Sequence, residues 1–148
     1  MVKTIILGSL ALALCFGGAA IHADETVMVT HAWVRATAPG QRVAGAYLEI
    51  SSAVPNKLVA ASSPVAGSVE IHSMQLENNI MTMQKLESLD LPAKQTVKLE
   101  PGGLHIMLLD LKKSLKPGDI VPLGLTLQRA DRSKTVVEVR AEVRSAAP

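Results

Sequence analysis

The strictest constraint on this chain is an alternation of apolar and polar residues toward its carboxy terminus. Val121, Leu123, Leu125 and Leu127 recur at every second position, with Thr126 and Gln128 on the opposite parity. Val137, Val139, Ala141 and Val143 repeat the pattern against Glu138, Arg140, Glu142 and Arg144. A period of two sends alternate side chains to opposite faces of an extended strand, so each segment has one face to bury and one to leave in water. Helical periodicity is nowhere sustained. Further strands are expected over residues 26–35, 43–51, 57–61, 68–74, 80–85, 96–100 and 104–109. Between them stand Pro39-Gly40, Pro55-Asn56, Asn78-Asn79, Pro101-Gly102-Gly103, Pro117-Gly118 and Ala130-Asp131, whose restricted or left-handed backbones suit turns. Short strands with such punctuation predict an all-β sandwich or barrel.

Composition limits what that fold can do. With 148 residues, 48% of them hydrophobic, the chain can bury one substantial core, and a disordered chain is excluded. Fifteen Lys and Arg against thirteen Asp and Glu leave a formal charge of +2, which gives no attraction for a polyanion. Aromatics are 2% (Phe16, Trp33, Tyr47), too few for base-stacking platforms, so no nucleic-acid partner is expected.

The amino terminus reads as an address. Lys3 precedes an apolar run over residues 5–16, broken by Gly8 and Ser9 and followed by Gly17, Gly18, Ala19 and Ala20, the pattern of a secretory signal. The run falls short of the ~20 residues that span a bilayer, so no membrane span is expected. Cleavage after Ala23 divides the chain into a signal, 1–23, and one domain, 24–148, exported to the periplasm; a cut after Ala20 also meets the small-residue requirement. Bulky Leu14 before Cys15 argues against lipid attachment there, and the cut removes the chain's one cysteine. Residues 144–148 read as a frayed tail without a ligand.

The chemistry-bearing residues cluster. His72, Met74, Met81, Met83, His105 and Met107 fall on three expected strands. On 104–109, His105 and Met107 share one face while Leu104, Ile106 and Leu108 take the other, which can hold the core. Residues 68–85 read as a hairpin turning within 77–79. Any two-residue loop there pairs odd with even positions and gathers His72, Met74, Met81 and Met83 on one face. A Glu77-Asn78 loop sets His72 opposite Met83; an Asn78-Asn79 loop makes them diagonal neighbours and sets Met74 opposite Met83. A three-residue loop would break the parity.

Thioethers are soft, neutral donors, suited to monovalent copper and poorly suited to hard cations. Zinc ordinarily recruits Cys or carboxylate. A blue-copper electron-transfer centre needs a thiolate, which the domain lacks once Cys15 is gone. One Cu(I) ion is therefore the expected ligand.

The spacing His72, ten residues, Met83, twenty-one residues, His105-Ile106-Met107 resembles the H-x10-M-x21-H-x-M signature of the PCu(A)C periplasmic copper chaperones. The resemblance extends to His31-Ala32-Trp33-Val34-Arg35-Ala36, to Pro39-Gly40 with Val43-Ala44-Gly45-Ala46-Tyr47, and to Lys116-Pro117-Gly118-Asp119. It implies a cupredoxin-like, Greek-key β-sandwich or barrel that binds Cu(I) through His72, Met83, His105 and Met107 and has no catalytic role. It further implies copper delivery to the Cu(A) site of cytochrome c oxidase subunit II, alongside Sco-type thiol proteins. The alternative is a periplasmic copper buffer without a dedicated acceptor. Some relatives carry a His- and Met-rich carboxy-terminal extension for a second copper, which is not expected of a sequence ending at Pro148.

The remaining candidates have plainer readings. Met28 is a packing residue, and Met74 and Met81 shield or pack beside the ligands with auxiliary coordination as the alternative. His31, on a strand with Val27, Val29 and Trp33, reads as a structural histidine. His22 leaves with the signal. Asp110, Lys112 and Lys113 read as a solvated loop. No Ser-His-Asp set, paired acidic site or Gly-rich phosphate loop points to an enzyme.

Overall fold

The computed structural model describes residues 26–145, so the signal, Cys15 and His22 lie outside the described residues. Ten strands follow in chain order: β1 Val27–Arg35, β2 Ala44–Ser52, β3 Asn56–Ser62, β4 Ala66–Glu77, β5 Ile80–Leu86, β6 Leu89–Leu91, β7 Thr96–Leu99, β8 His105–Leu111, β9 Ile120–Arg129 and β10 Lys134–Arg144. No helix occurs among the described residues, and hence none long and apolar enough to cross a membrane.

The strands hydrogen-bond in the order β5-β4-β8-β2-β1-β10-β9-β3-β6, with β7 also on β2. The β1–β10 pair is parallel and the other strand pairs are antiparallel. Strand β2 changes partner along its length, meeting β8 at Ala44–Ala46 and β7 at Leu48–Ser51. This strand hands the chain from one part of the barrel to the other.

The alternation of the last two strands is realised, with Val137 half-buried against the core. Val121, Leu123, Leu125 and Leu127 are buried, as are Val139, Ala141 and Val143, while Glu138, Arg140 and Glu142 are exposed. Ile106 and Leu108 of β8 join Val34, Leu48, Ile50 and Ile71 in the same core. The opposite face of β8 is thereby free to carry His105 and Met107.

Four local expectations are corrected. Strand β6 lies beside β3, with Leu91 buried; three residues before Pro92 are too short a run to show alternation. Arg144 is no frayed residue, because it ends β10 opposite Arg35 and pairs with Glu142 at 2.8 Å. Asp110 lies within β8 in a left-handed conformation (φ 52°), 3.9 Å from Arg42, and only the lysines after it form a bend.

The fourth correction concerns β1. Its pairing with β2 slips by one residue between Thr30 and Trp33, where His31 is left-handed (φ 53°). An extra residue in one strand flips every side chain beyond it. His31 is therefore exposed, 3.5 Å from Glu49, and Trp33 faces the side of the sheet opposite to Val29.

Candidate metal centre

Strand pairing decides which candidates can meet. In the β4–β5 hairpin the loop is Asn78-Asn79, both residues left-handed (φ 50° and 61°), as a two-residue turn that matches strand twist requires. Met74 then stands opposite Met83, His72 opposite Lys85 and Leu76 opposite Met81. Across the other edge of β4, His72 stands directly opposite His105 and Glu70 opposite Met107. Directly opposed residues share a face, so Glu70, His72, Met74, Met81, Met83, Lys85, His105 and Met107 all lie on one side of a three-strand surface.

Among the described residues no three His, Cys, Asp or Glu side chains gather as a metal group. What gathers is two imidazoles among thioethers. The rings of His72 and His105 have centroids 5.6 Å apart in an edge-to-face arrangement. Met107 lies two residues beyond His105, and Met83 lies diagonal to His72, so each imidazole has a thioether neighbour on its own side. His105 is buried, Met107 half-buried and Met83 exposed, an arrangement open at the β5 edge.

Each imidazole is oriented by a specific partner. The turn after β7 folds back through Glu100, whose carbonyl accepts the Gly103 N–H at 3.0 Å, with Gly102 left-handed (φ 84°) between them. The Gly103 carbonyl then accepts His105 Nδ1 at 3.0 Å and the Met74 N–H at 3.3 Å. One carbonyl thus ties the start of β8 to the outer part of β4. With its proton on Nδ1, His105 carries its lone pair on Nε2.

His72 Nε2 donates to the Glu70 carboxylate at 2.8 Å, and Lys85 Nζ reaches the other Glu70 oxygen at 3.1 Å. The hydrogen bond from His72, then that from Lys85, holds the Glu70 carboxyl below the ordinary glutamate value of 4.5. The remaining nitrogen, His72 Nδ1, is buried and has no hydrogen-bond partner among protein atoms. A buried acceptor without a partner is costly, and a soft cation is one group that satisfies it.

A family model described as "Putative lipoprotein LpqE-like" matches residues 27–139. The chain belongs to the LpqE-like, PCuAC family. It is 34% identical over 116 residues to "Putative lipoprotein Lxx21020" of Leifsonia xyli subsp. xyli, covering 78% of this chain and 69% of that protein. Among solved PCuAC domains, the apo domain from PmoF1 is 30% identical with TM-score 0.63, covering 82% of this chain and 95% of its own. The Cu(I) form of DR1885 from Deinococcus radiodurans is 31% identical with TM-score 0.61, covering 86% and 83%. The fold is accordingly the cupredoxin-like β-barrel of PCuAC domains.

Within this PCuAC domain, four residues that support the candidate site are not marked as such by the sequence. Glu70 and Lys85 lie on the candidate face by parity alone, a weak signal until the hairpin register is known. Tyr47 packs on Trp33 (ring centroids 4.6 Å) and approaches His105 at 6.5 Å. Gly45, opposite Met107, makes room for it: a Cβ there would overlap the Tyr47 hydroxyl and ring. His31 and Met28 stand apart from the candidate centre, on β1, and Met28 is exposed there and not the packing residue expected.

Proposed function

We propose that the protein is an exported copper metallochaperone that holds one Cu(I) ion through His72, Met83, His105 and Met107 and delivers it to the Cu(A) site of cytochrome c oxidase subunit II, with Sco-type thiol proteins as companions. The observation that carries this reading is the direct opposition of His72 and His105 on adjacent strands, with thioethers beside both and a buried, unpartnered His72 Nδ1. Two imidazoles and two thioethers make a neutral, soft donor set, which suits a monovalent soft ion without anionic compensation. The named Cu(I) form of the 31% identical Deinococcus relative supports the same ion.

Release follows from the same chemistry. Thioethers bind Cu(I) less firmly than thiolates do, so the ion runs downhill to an acceptor that offers cysteines. Exposed Met83 is the ligand an acceptor reaches first, and buried His105 is the last to let go. Exchange one donor at a time avoids a free ion at any stage.

The lipoprotein relatives support export, and the periplasm is the compartment the signal implies. The intact mass of the mature protein decides the processing: an unmodified amino terminus at Asp24 is expected, and a lipidated Cys15 would replace it. Delivery is tested by mixing the Cu(I)-loaded protein with an apo Cu(A) domain. Metallation faster than from an equal supply of chelated Cu(I) is expected. Equal rates would leave copper buffering as the function.

A further inference from the structure

The outer part of the β4–β5 hairpin is unusual for what it leaves in water. Leu76, Ile80, Met81 and Met83 are all exposed, Met81 by 51% and Met83 by 46%. A methionine stabilises a fold by being buried, so two left out on one strand are not placed for packing. Met74 stands directly opposite Met83, and Met81 is two residues before Met83 on the same face. Opposed Cβ atoms lie about 4.5–5.5 Å apart and diagonal neighbours about 7–8 Å apart. Three unbranched side chains at those separations can bring their sulfurs to one point. Opposite Met81 on this face stands Leu76, and neighbouring Glu77 falls on the other face, so no carboxylate there serves a hard cation.

We infer that Met74, Met81 and Met83 form a second, thioether-only holding position for a soft monovalent cation, Cu(I), at the outer end of the hairpin. Met83 belongs to both positions and is the pivot between them. An ion pivoting on Met83 exchanges His72, His105 and Met107 for Met74 and Met81, and so moves from the recessed imidazoles to the exposed strand edge. The Gly103 carbonyl couples the two positions, since it fixes both the His105 ring and the Met74 backbone. The inference rests on the Cu(I) reading above and extends it to a route on and off the protein.

The test uses the full domain with both imidazoles removed, His72→Gln with His105→Gln, titrated with Ag(I) as a redox-inert soft cation and followed through the methionine methyl signals. The Met74, Met81 and Met83 methyls are expected to shift together and saturate at one equivalent. Adding Met74→Leu and Met81→Leu, which keep apolar side chains of similar size, is expected to abolish the saturable shift. Unmoved Met74 and Met81 methyls would overturn the inference, whatever Met83 and Met107 do. Should the doubly substituted chain fail to fold, His72→Gln alone, with buried His105 kept, is read in the same way. The native chain with one equivalent of Cu(I) separates the two proposals: silent His72 and His105 ring signals would contradict the proposed function and leave the methionine position standing.

Discussion

Glu70 governs the orientation of His72. Its carboxylate accepts a hydrogen bond from the imidazole Nε2–H and is steadied by Lys85, which leaves Nδ1 without a protein partner and as the nitrogen that would take the ion in the proposed centre. Glu70→Gln is therefore expected to weaken Cu(I) binding by about 10–100-fold, the usual cost of removing an outer partner of a metal-binding histidine. Competition with a Cu(I) chelator measures it. The same carboxyl gives a stability signature. Its folded value is depressed below 4.5, so its contribution is complete above that pH and is lost as pH falls through the lower folded value. In urea unfolding, native protein and Glu70→Gln should differ fully above pH 4.5 and converge only as pH falls through the depressed folded value. The four proposed ligands are legible in the sequence because their types and spacing are distinctive. Glu70 and Lys85 are not, since two common charged residues fifteen positions apart reveal their pairing only through the hairpin register.

At the scale of elements, β8 carries His105 and Met107 of the proposed centre on one face and the core residues Ile106 and Leu108 on the other. Ile106 is fully buried between His105 and Met107. Ile106→Ala is expected to cost about 2–5 kcal/mol through lost burial and a residual cavity, measurable by urea unfolding. The preceding turn sets where β8 begins. Gly102 adopts φ 84° with open space around its Cα, so the cost of a side chain there is conformational. Gly102→Val is expected to destabilise the fold by about 1–3 kcal/mol and to loosen the Gly103 carbonyl that holds His105, which lowers Cu(I) affinity as well. Strands β9 and β10 are readable because their alternation runs unbroken over seven or more residues. Strand β6 is too short for a period to show. The slip at His31 is invisible too, because the sequence parity of Val27, Val29, His31 and Trp33 is perfect and only pairing with β2 breaks it.

At the scale of the molecule, the proposed centre depends on the sheet order, which places β5, β4 and β8 side by side. His72 and His105 are far apart along the chain, and no local pattern states that their strands are neighbours. Periodicity gives each strand its faces, but adjacency comes from the order in which the strands pair, and at the level of sequence only the resemblance to a spaced signature points to it. The barrel accounts for the division of labour. A continuous apolar interior fixes the backbone, and the edge hairpin leaves Met81 and Met83 in water, where the proposed function needs them. The most direct test of this account is X-ray absorption at the copper edge of the native protein loaded with one equivalent of Cu(I). Two nitrogen and two sulfur donors are predicted, with the sulfur signal reduced in Met83→Leu and the nitrogen signal reduced in His105→Gln. A shell of oxygen and nitrogen alone, or a spectrum indifferent to both substitutions, would contradict it.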